Sequence, residues 1–258
     1  MQAIAITKTH QGRRPYQEDR FCDVQVSKTL RVTGVFDGHG GSQVADICRD
    51  NFPAVIRHCL EYQHDMGVAI KQAFQIVDVL AQTANVPFVG STAVIAITTP
   101  TAVWIANAGD SMAAVVYKDN FAEMLSVEHK VENPVEKERI VQLGGAITYD
   151  DGCARVNGTL NVSRSLGDFH MKRYVIAEPY VRSISRNLQK VKYLVLASDG
   201  VWDVFDMRTL QNVIDGKNGD MEAAADAVLN IANSYGHDNA TIIILVVAAA
   251  PNISQATT

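Results

Sequence analysis

TAVIAITTPTAVWIANAGDSMAAVVY, residues 92–117, holds three apolar runs divided by turn residues: Thr92 to Ile97, Ala102 to Ala106 and Ala113 to Tyr117. Thr99-Pro100-Thr101 inside the stretch and Lys118-Asp119-Asn120 just beyond it fit hairpins joining sequential strands. Strands connected this way give antiparallel sheets rather than a repeated βαβ winding. Further strands are expected at Ala3 to Lys8, Leu30 to Phe36, Lys192 to Ala197 and Thr241 to Val247. The apolar run Ile242 to Ala250 is too short to span a bilayer and reads as a strand buried on both faces. Helical periodicity marks Gln43 to Tyr62, Val68 to Ala84, Val135 to Leu143 and Met221 to Ser234, with Pro134 and Gly144-Gly145 as start and stop of the third. Strands clustered apart from long helices point to an α+β fold with helices covering sheets. Gly144 to Tyr180 mixes Gly, polar residues and short β-like pieces and reads as an irregular excursion.

With 258 residues, 47% hydrophobic and 20% charged, the chain suits one sizeable core, and no linker or repeat divides residues 1–258. The formal charge of -5 comes from interspersed acids and bases, which argues against nucleic acid or an anionic membrane as a partner. Cys22, Cys48, Cys59 and Cys153 show no CxxC spacing, and Met1 to His10 does not resemble a secretory segment. Reduced thiols in a cytoplasmic or nuclear protein follow; a monomer is expected. Gln2 stands where an N-myristoylation signal needs Gly.

Four acidic motifs share one local design. Asp37-Gly38-His39-Gly40-Gly41, Gly109-Asp110-Ser111 and Ser198-Asp199-Gly200 each follow an expected strand, and His237-Asp238-Asn239 precedes one. Carboxylates held together at strand ends repel one another unless hard cations lie between them, and an oxygen-rich set without paired histidines favours Mg²⁺ or Mn²⁺ over Zn²⁺. Two such ions sharing a carboxylate suit an in-line phosphoryl displacement, so phosphoester hydrolysis is the first reaction to consider. Arg14, with Glu18-Asp19 close behind, supplies a cation suited to a phosphate dianion.

These motifs, with Gly90-Ser91-Thr92-Ala93, Asn107-Ala108-Gly109-Asp110-Ser111, Arg155-Val156-Asn157-Gly158 through Ser163-Arg164-Ser165-Leu166-Gly167-Asp168, and Ser198-Asp199-Gly200-Val201-Trp202-Asp203, resemble in order those of metal-dependent type 2C serine/threonine protein phosphatases, the PPM family. The resemblance spans nearly the whole chain. It implies a four-layer α-β-β-α sandwich of two antiparallel sheets flanked by helices, with two Mn²⁺ or Mg²⁺ ions at one end. It also implies hydrolysis of phosphoserine and phosphothreonine in protein substrates by a metal-bridged water or hydroxide. By motif position Asp37 would bridge the ions, the Gly38 carbonyl would bind one, and Asp199 and Asp238 the other. Glu18 and Asp19 would act through water, and Asp110 would serve a weaker third ion. Arg14 would hold the substrate phosphate and His39 would protonate the departing oxygen. Residues 143–180 would contain the family's flap. Asp168 and Asp203 read as structural, and Thr92 as packing near the site.

The sequence departs from the family pattern at Met112, where Arg is usual, at Glu128, where Asp is usual, and at Asn161, where Ala is common; none removes an expected metal ligand. No large C-terminal regulatory extension is expected after the strand at Thr241 to Val247. Gly167-Asp168-Phe169-His170 lacks the further blocks of calcineurin-like phosphatases. Asp65 stands where a cysteinyl-phosphate loop beginning at His58-Cys59 needs Arg. The rival reading is a catalytically silent member of the same fold that binds a partner or a phosphoprotein. A weaker alternative is an enzyme acting on a small phosphate ester.

Overall fold

The computed structural model describes residues 3–150, 152–185 and 190–247. In chain order it runs β1 (Ala3–His10), β2 (Arg20–Ser27), β3 (Leu30–Phe36), β4 (Gly38–His39), α1 (Gln43–Tyr62), α2 (Met66–Gln82), β5 (Gly90–Ser91), β6 (Ala93–Thr98), β7 (Ala102–Ala108), β8 (Met112–Tyr117) and β9 (Ala122–Met124). It continues through α3 (Pro134–Gln142), β10 (Ile147–Asp150), β11 (Cys153–Val156), β12 (Leu166–Gly167), β13 (Tyr180–Ser185), β14 (Val191–Ala197), α4 (Asp199–Trp202), α5 (Met207–Asp215), α6 (Met221–Tyr235) and β15 (Ala240–Val247). Residues 1–2 and Ala248 to Ala250, the last part of the expected apolar run, lie outside the described residues.

Two five-stranded antiparallel sheets carry the molecule, in the orders β13-β7-β6-β3-β2 and β1-β15-β14-β8-β9. The hairpins expected from residues 92–120 are the β6–β7 and β8–β9 connections, the second turning at Asn120 with φ 66°. The side chains of the central strands sort by parity. In β6, Ala93, Ile95 and Ile97 pack toward α1 and α2, while Val94 and Ala96 pack toward the other sheet. In β14 and β15, Tyr193, Val195, Ile242 and Ile244 face α5 and α6, whereas Leu194, Leu196, Ile243 and Leu245 face the first sheet. A strand lying between a helix layer and a second sheet is buried on both faces, which is why these segments read as unbroken apolar runs. The three resulting cores stack as helices, sheet, sheet, helices, the four-layer α+β sandwich.

Outer helices follow ordinary rules of capping and stacking. Phe36 of β3 stacks on Phe52 of α1 with ring centroids 5.6 Å apart, and Phe52 meets Phe74 of α2 edge-on at 4.8 Å. Helix α3 starts at Asn133, whose side chain accepts from Val135 N, with Pro134 in its first turn. It stops where Gly144 N and Gly145 N donate back to the Val141 and Ile140 carbonyls.

Apart from the short β4, β5 and α4, the departures from the expected pattern are four. β2 and β13, the two edges of the first sheet, and the nine-residue α5 were not evident as elements in the sequence. The excursion from Gly144 to Tyr180 is more ordered than its composition suggests: β10 and β11 form a hairpin, and Val131, Ile140, Ala154, Val156, Met171 and Val175 make a small core of their own. No helix among the described residues is long and apolar enough to cross a membrane.

Candidate active site

Topology brings the acidic motifs together. β3 and β7 both lie antiparallel to β6, so they run the same way and deliver Asp37 and Asp110 to one end of the first sheet. β14 and β15 are antiparallel, so the end of one, followed by Asp199, lies beside the start of the other, preceded by Asp238. A cavity of about 400 Å³ opens there, lined by Arg14, Glu18, Asp37, Gly38, His39, Asp110, Asp199 and Asp238 among others.

Asp110 is buried and Asp37 and Asp199 are half-buried, with the last two carboxylates within hydrogen-bonding reach of each other. Burial, then the charges of Asp199, Asp19 and Asp110, push the Asp37 carboxyl far above its ordinary range. Asp110 is raised by burial and by Asp199, and Asp199 by burial and then Asp203. These acids crowd one another without enough compensating positive charge. Asp19 stands behind the cavity wall at 4% exposure; its Oδ2 accepts from Ser198 Oγ at 2.9 Å and Thr241 Oγ1 at 2.7 Å, and its Oδ1 has no partner. Burial raises it too, against the pull of those two hydroxyls.

Arg14 is half-exposed at the cavity, and its Nη2 donates to Asp238 Oδ2 at 2.5 Å. Asn239 fixes the loop that carries Arg14 and Glu18: its Oδ1 accepts from Glu18 N at 2.8 Å, and its Nδ2 donates to the Gln11 and Tyr16 carbonyls. Thr92 ties the Asp37 and Asp110 turns together, donating its N–H to the Asp37 carbonyl at 2.8 Å and sharing a 2.6 Å hydroxyl contact with Ser111. His39 lines the cavity, and its Nε2 lies 2.7 Å from Asp168 Oδ2. Burial of the ring lowers the His39 pKa, but the hydrogen bond and charge of Asp168 outweigh it and the net direction is up.

The arrangement fits a hard divalent cation. Its donors are carboxylate oxygens, and their mutual repulsion, together with the unpartnered Asp19 Oδ1, is what a cation would relieve. Among the described residues no three acidic, histidine or cysteine side chains close into a ready-made cage, so backbone carbonyl and water must complete any coordination shell.

The structure gathers Arg14, Glu18, Asp37, Gly38, His39, Asp110, Asp199 and Asp238 around one cavity and leaves Asp19 behind its wall. It adds three things to the expected site, among them Asp168 and Asp203, which the sequence marks only as structural. Arg155, Leu160, Asn161 and Val162 of the excursion line the cavity; Asp203 lines it as well, holding Lys130 at 3.0 Å; and Asp168 reaches His39. Arg155 carried a signal, a cation in the excursion beside the site. Asp168 closes the motif Ser163 to Asp168, but its contact with His39, 129 residues away, is not visible in the chain.

The family model for protein phosphatase 2C matches residues 7–241. Probable protein phosphatase 2C 56 of Oryza sativa subsp. japonica is 37% identical over 243 residues, covering 91% of this chain and 68% of that protein. Protein phosphatase 2C 77 of Arabidopsis thaliana is 39% identical over 226 residues, covering 75% of this chain and 53% of that protein. This chain spans 68%, 63% and 53% of the lengths of three such relatives. In fold, it resembles a serine-threonine phosphatase 2C from Toxoplasma gondii, with a TM-score of 0.84 at 22% identity and 94% of each chain covered. It also resembles a C. elegans sex determining protein, with a TM-score of 0.88 at 22% identity, covering 94% of this chain and 64% of that one. By the extent of the family match and the identity to these relatives, the chain belongs to the protein phosphatase 2C family.

Proposed function

We propose that this chain hydrolyses phosphoserine and phosphothreonine in proteins, with two Mn²⁺ or Mg²⁺ ions in the acidic cavity and water as the nucleophile. The observation that carries the reading is the convergence of Asp37, Asp110, Asp199 and Asp238 on one cavity that also holds Arg14 and His39. Metal dependence goes with the family. Asp37, the Gly38 carbonyl, Asp199 and Asp238 would hold the ions, Glu18 and Asp19 would act through water, and Asp110 would serve a weaker third. When bound, the ions would supply Lewis acidity, making water a better nucleophile and offsetting phosphate charge.

The chain's own residues do the rest. Arg14 lines the cavity with a guanidinium matched to phosphate oxygens, so it holds the phosphoryl group in register; Asp238, its partner here, is freed as Arg14 turns to substrate. His39 delivers a proton to the serine or threonine oxygen as the P–O bond breaks, which matters because an alkoxide is a poor leaving group. A cysteinyl route has no support: Cys59 is buried, and burial raises its thiol further from the reactive thiolate.

On this reading the chain is one catalytic unit with residues 143–180 as a flap, whose Arg155 and Asn161 border the substrate's approach. The four free cysteines suit a reducing compartment, cytoplasmic or nuclear. The test is phosphate release from a phosphothreonine peptide and from metabolite phosphate esters, with Mn²⁺ or with chelator, beside Asp37→Ala. Chelator-sensitive, Asp37-dependent turnover that favours the peptide is expected. A metal-indifferent rate, or a preference for the metabolites, would replace the reading.

A further inference from the structure

Asp168 is spent in a way that a turn-forming aspartate is not. Its side chain is fully buried, its backbone sits in the left-handed region at φ 50°, and its Oδ1 has no hydrogen-bond partner. Each of these opposes folding, and strain of this kind persists only where the surroundings enforce it. They do so here. The short sheet β12-β5-β4 sets Gly167 opposite Gly90 and Gly90 opposite His39, so the residue after Gly167 is aimed at the His39 ring. Gly90 must be glycine for that approach: a Cβ there would lie 2.1 Å from Asp168 Oδ2 and 2.4 Å from His39 Nε2. Behind the turn, Asp78 of α2 accepts from Gly167 N at 2.8 Å and pairs with Lys172 at 2.7 Å, and Lys172 donates to the Ser165 carbonyl.

All of this converges on one contact. Asp168 Oδ2 lies 2.7 Å from His39 Nε2 and also accepts from Ser165 Oγ at 2.5 Å. An ionised carboxylate only accepts, so Nε2 must carry hydrogen. No described residue hydrogen-bonds Nδ1, the other ring nitrogen of a side chain that lines the cavity. We propose that Asp168 is the positioning residue of His39, holding Nε2–H so that Nδ1 faces the cavity as the nitrogen that passes a proton to the leaving oxygen. After transfer the ring is left as the neutral Nε2–H tautomer that Asp168 already holds, so nothing need rotate before the next cycle. The proposal rests on the acid role given to His39 above.

The experiment pairs a magnetic-resonance reading with a kinetic cycle. In ¹⁵N-histidine-labelled, metal-free protein at alkaline pH, His39 is expected as the Nε2–H tautomer. In Asp168→Asn, whose amide can also donate, the Nδ1–H form should appear. With Mn²⁺, Asp168→Asn should lower kcat on a phosphothreonine peptide about 10- to 100-fold, with KM little changed and a much smaller loss on an aryl phosphate. In a His39→Ala background it should cost nothing further. If Asp168→Asn fails to fold, Ser165→Ala carries both readings, with smaller shifts in the same direction. An unchanged tautomer, equal losses on both substrates, or a full additional loss beside His39→Ala would each overturn the proposal and leave Asp168 a plain structural anchor. A wild-type chain without turnover would overturn the phosphatase reading instead, and the tautomer measurement separates that failure from this one.

Discussion

A single methyl group tests how tightly the site is packed. Gly90→Ala places a carbon against both His39 and Asp168, so it should cost about 1–3 kcal/mol of stability and slow turnover on alkyl phosphates, read by denaturant melts and phosphopeptide kinetics. Arg14→Ala should act on binding, raising KM for a phosphopeptide about tenfold with a smaller change in kcat, because its guanidinium addresses a charge present before and during reaction. At this scale the sequence disclosed what local pattern can disclose. An aspartate beside glycine after an apolar run is visible and marks Asp37, Asp110 and Asp199, while Asp238 stands between His237 and Asn239 just before the run from Thr241 to Val247. Asp168 also lies beside a glycine, yet nothing near it in the chain distinguishes a turn former from a partner of His39. The contact exists only after β12, β5 and β4 are aligned.

The central strands were the most legible elements because they are the most fully buried. β3, β6, β14 and β15 are enclosed by layers on both faces and stand out as apolar runs. β2 reads Arg-Phe-Cys-Asp-Val-Gln-Val-Ser because it is a sheet edge with one side half in water, and its charges hide it. α5 is nine residues long like α3 but lacks the Pro start and Gly-Gly stop that mark α3, though Asp206 caps it by accepting from Thr209 N at 2.7 Å. Asp220 caps α6 in the same way through Ala223 N, and Asp220→Ala should cost about 1 kcal/mol in chemical denaturation. The excursion is pinned to α3 by a buried acid: Glu136, 2% exposed, pairs with Arg164 at 2.5 Å and Arg139 at 2.8 Å. Burial would raise its carboxyl, but the two guanidinium groups prevail and hold it at about 2, down from an ordinary 4.5. A carboxyl depressed on folding contributes stability that is complete above its unfolded value and lost as pH falls through its folded one. Wild type should therefore be more stable than Glu136→Gln at pH 7, and the gap should close between pH 4.5 and about 2 in melts run across that range.

Across the whole molecule, antiparallel sheets were readable because hairpin turns declare their pairing locally, whereas the four-layer sandwich came only with the family resemblance, and the meeting of two sheet ends around a cavity is a property of topology. That cavity should set stability against activity. Its carboxylates repel one another when no cation is present, so Asp199→Asn should raise the melting temperature of chelator-treated protein by about 2–4 °C, roughly 1 kcal/mol, while abolishing turnover. Mn²⁺ should stabilise wild type by mass action and stabilise Asp199→Asn less. The most direct test of the central claim is Mn²⁺ titration calorimetry run in parallel with phosphate release from a phosphothreonine peptide, on wild type and Asp199→Ala. Turnover that rises with Mn²⁺ occupancy in wild type, with both binding and turnover impaired in the variant, is the predicted result. A folded wild-type chain that binds Mn²⁺ and releases no phosphate would contradict it and make the protein a binding module on a phosphatase fold.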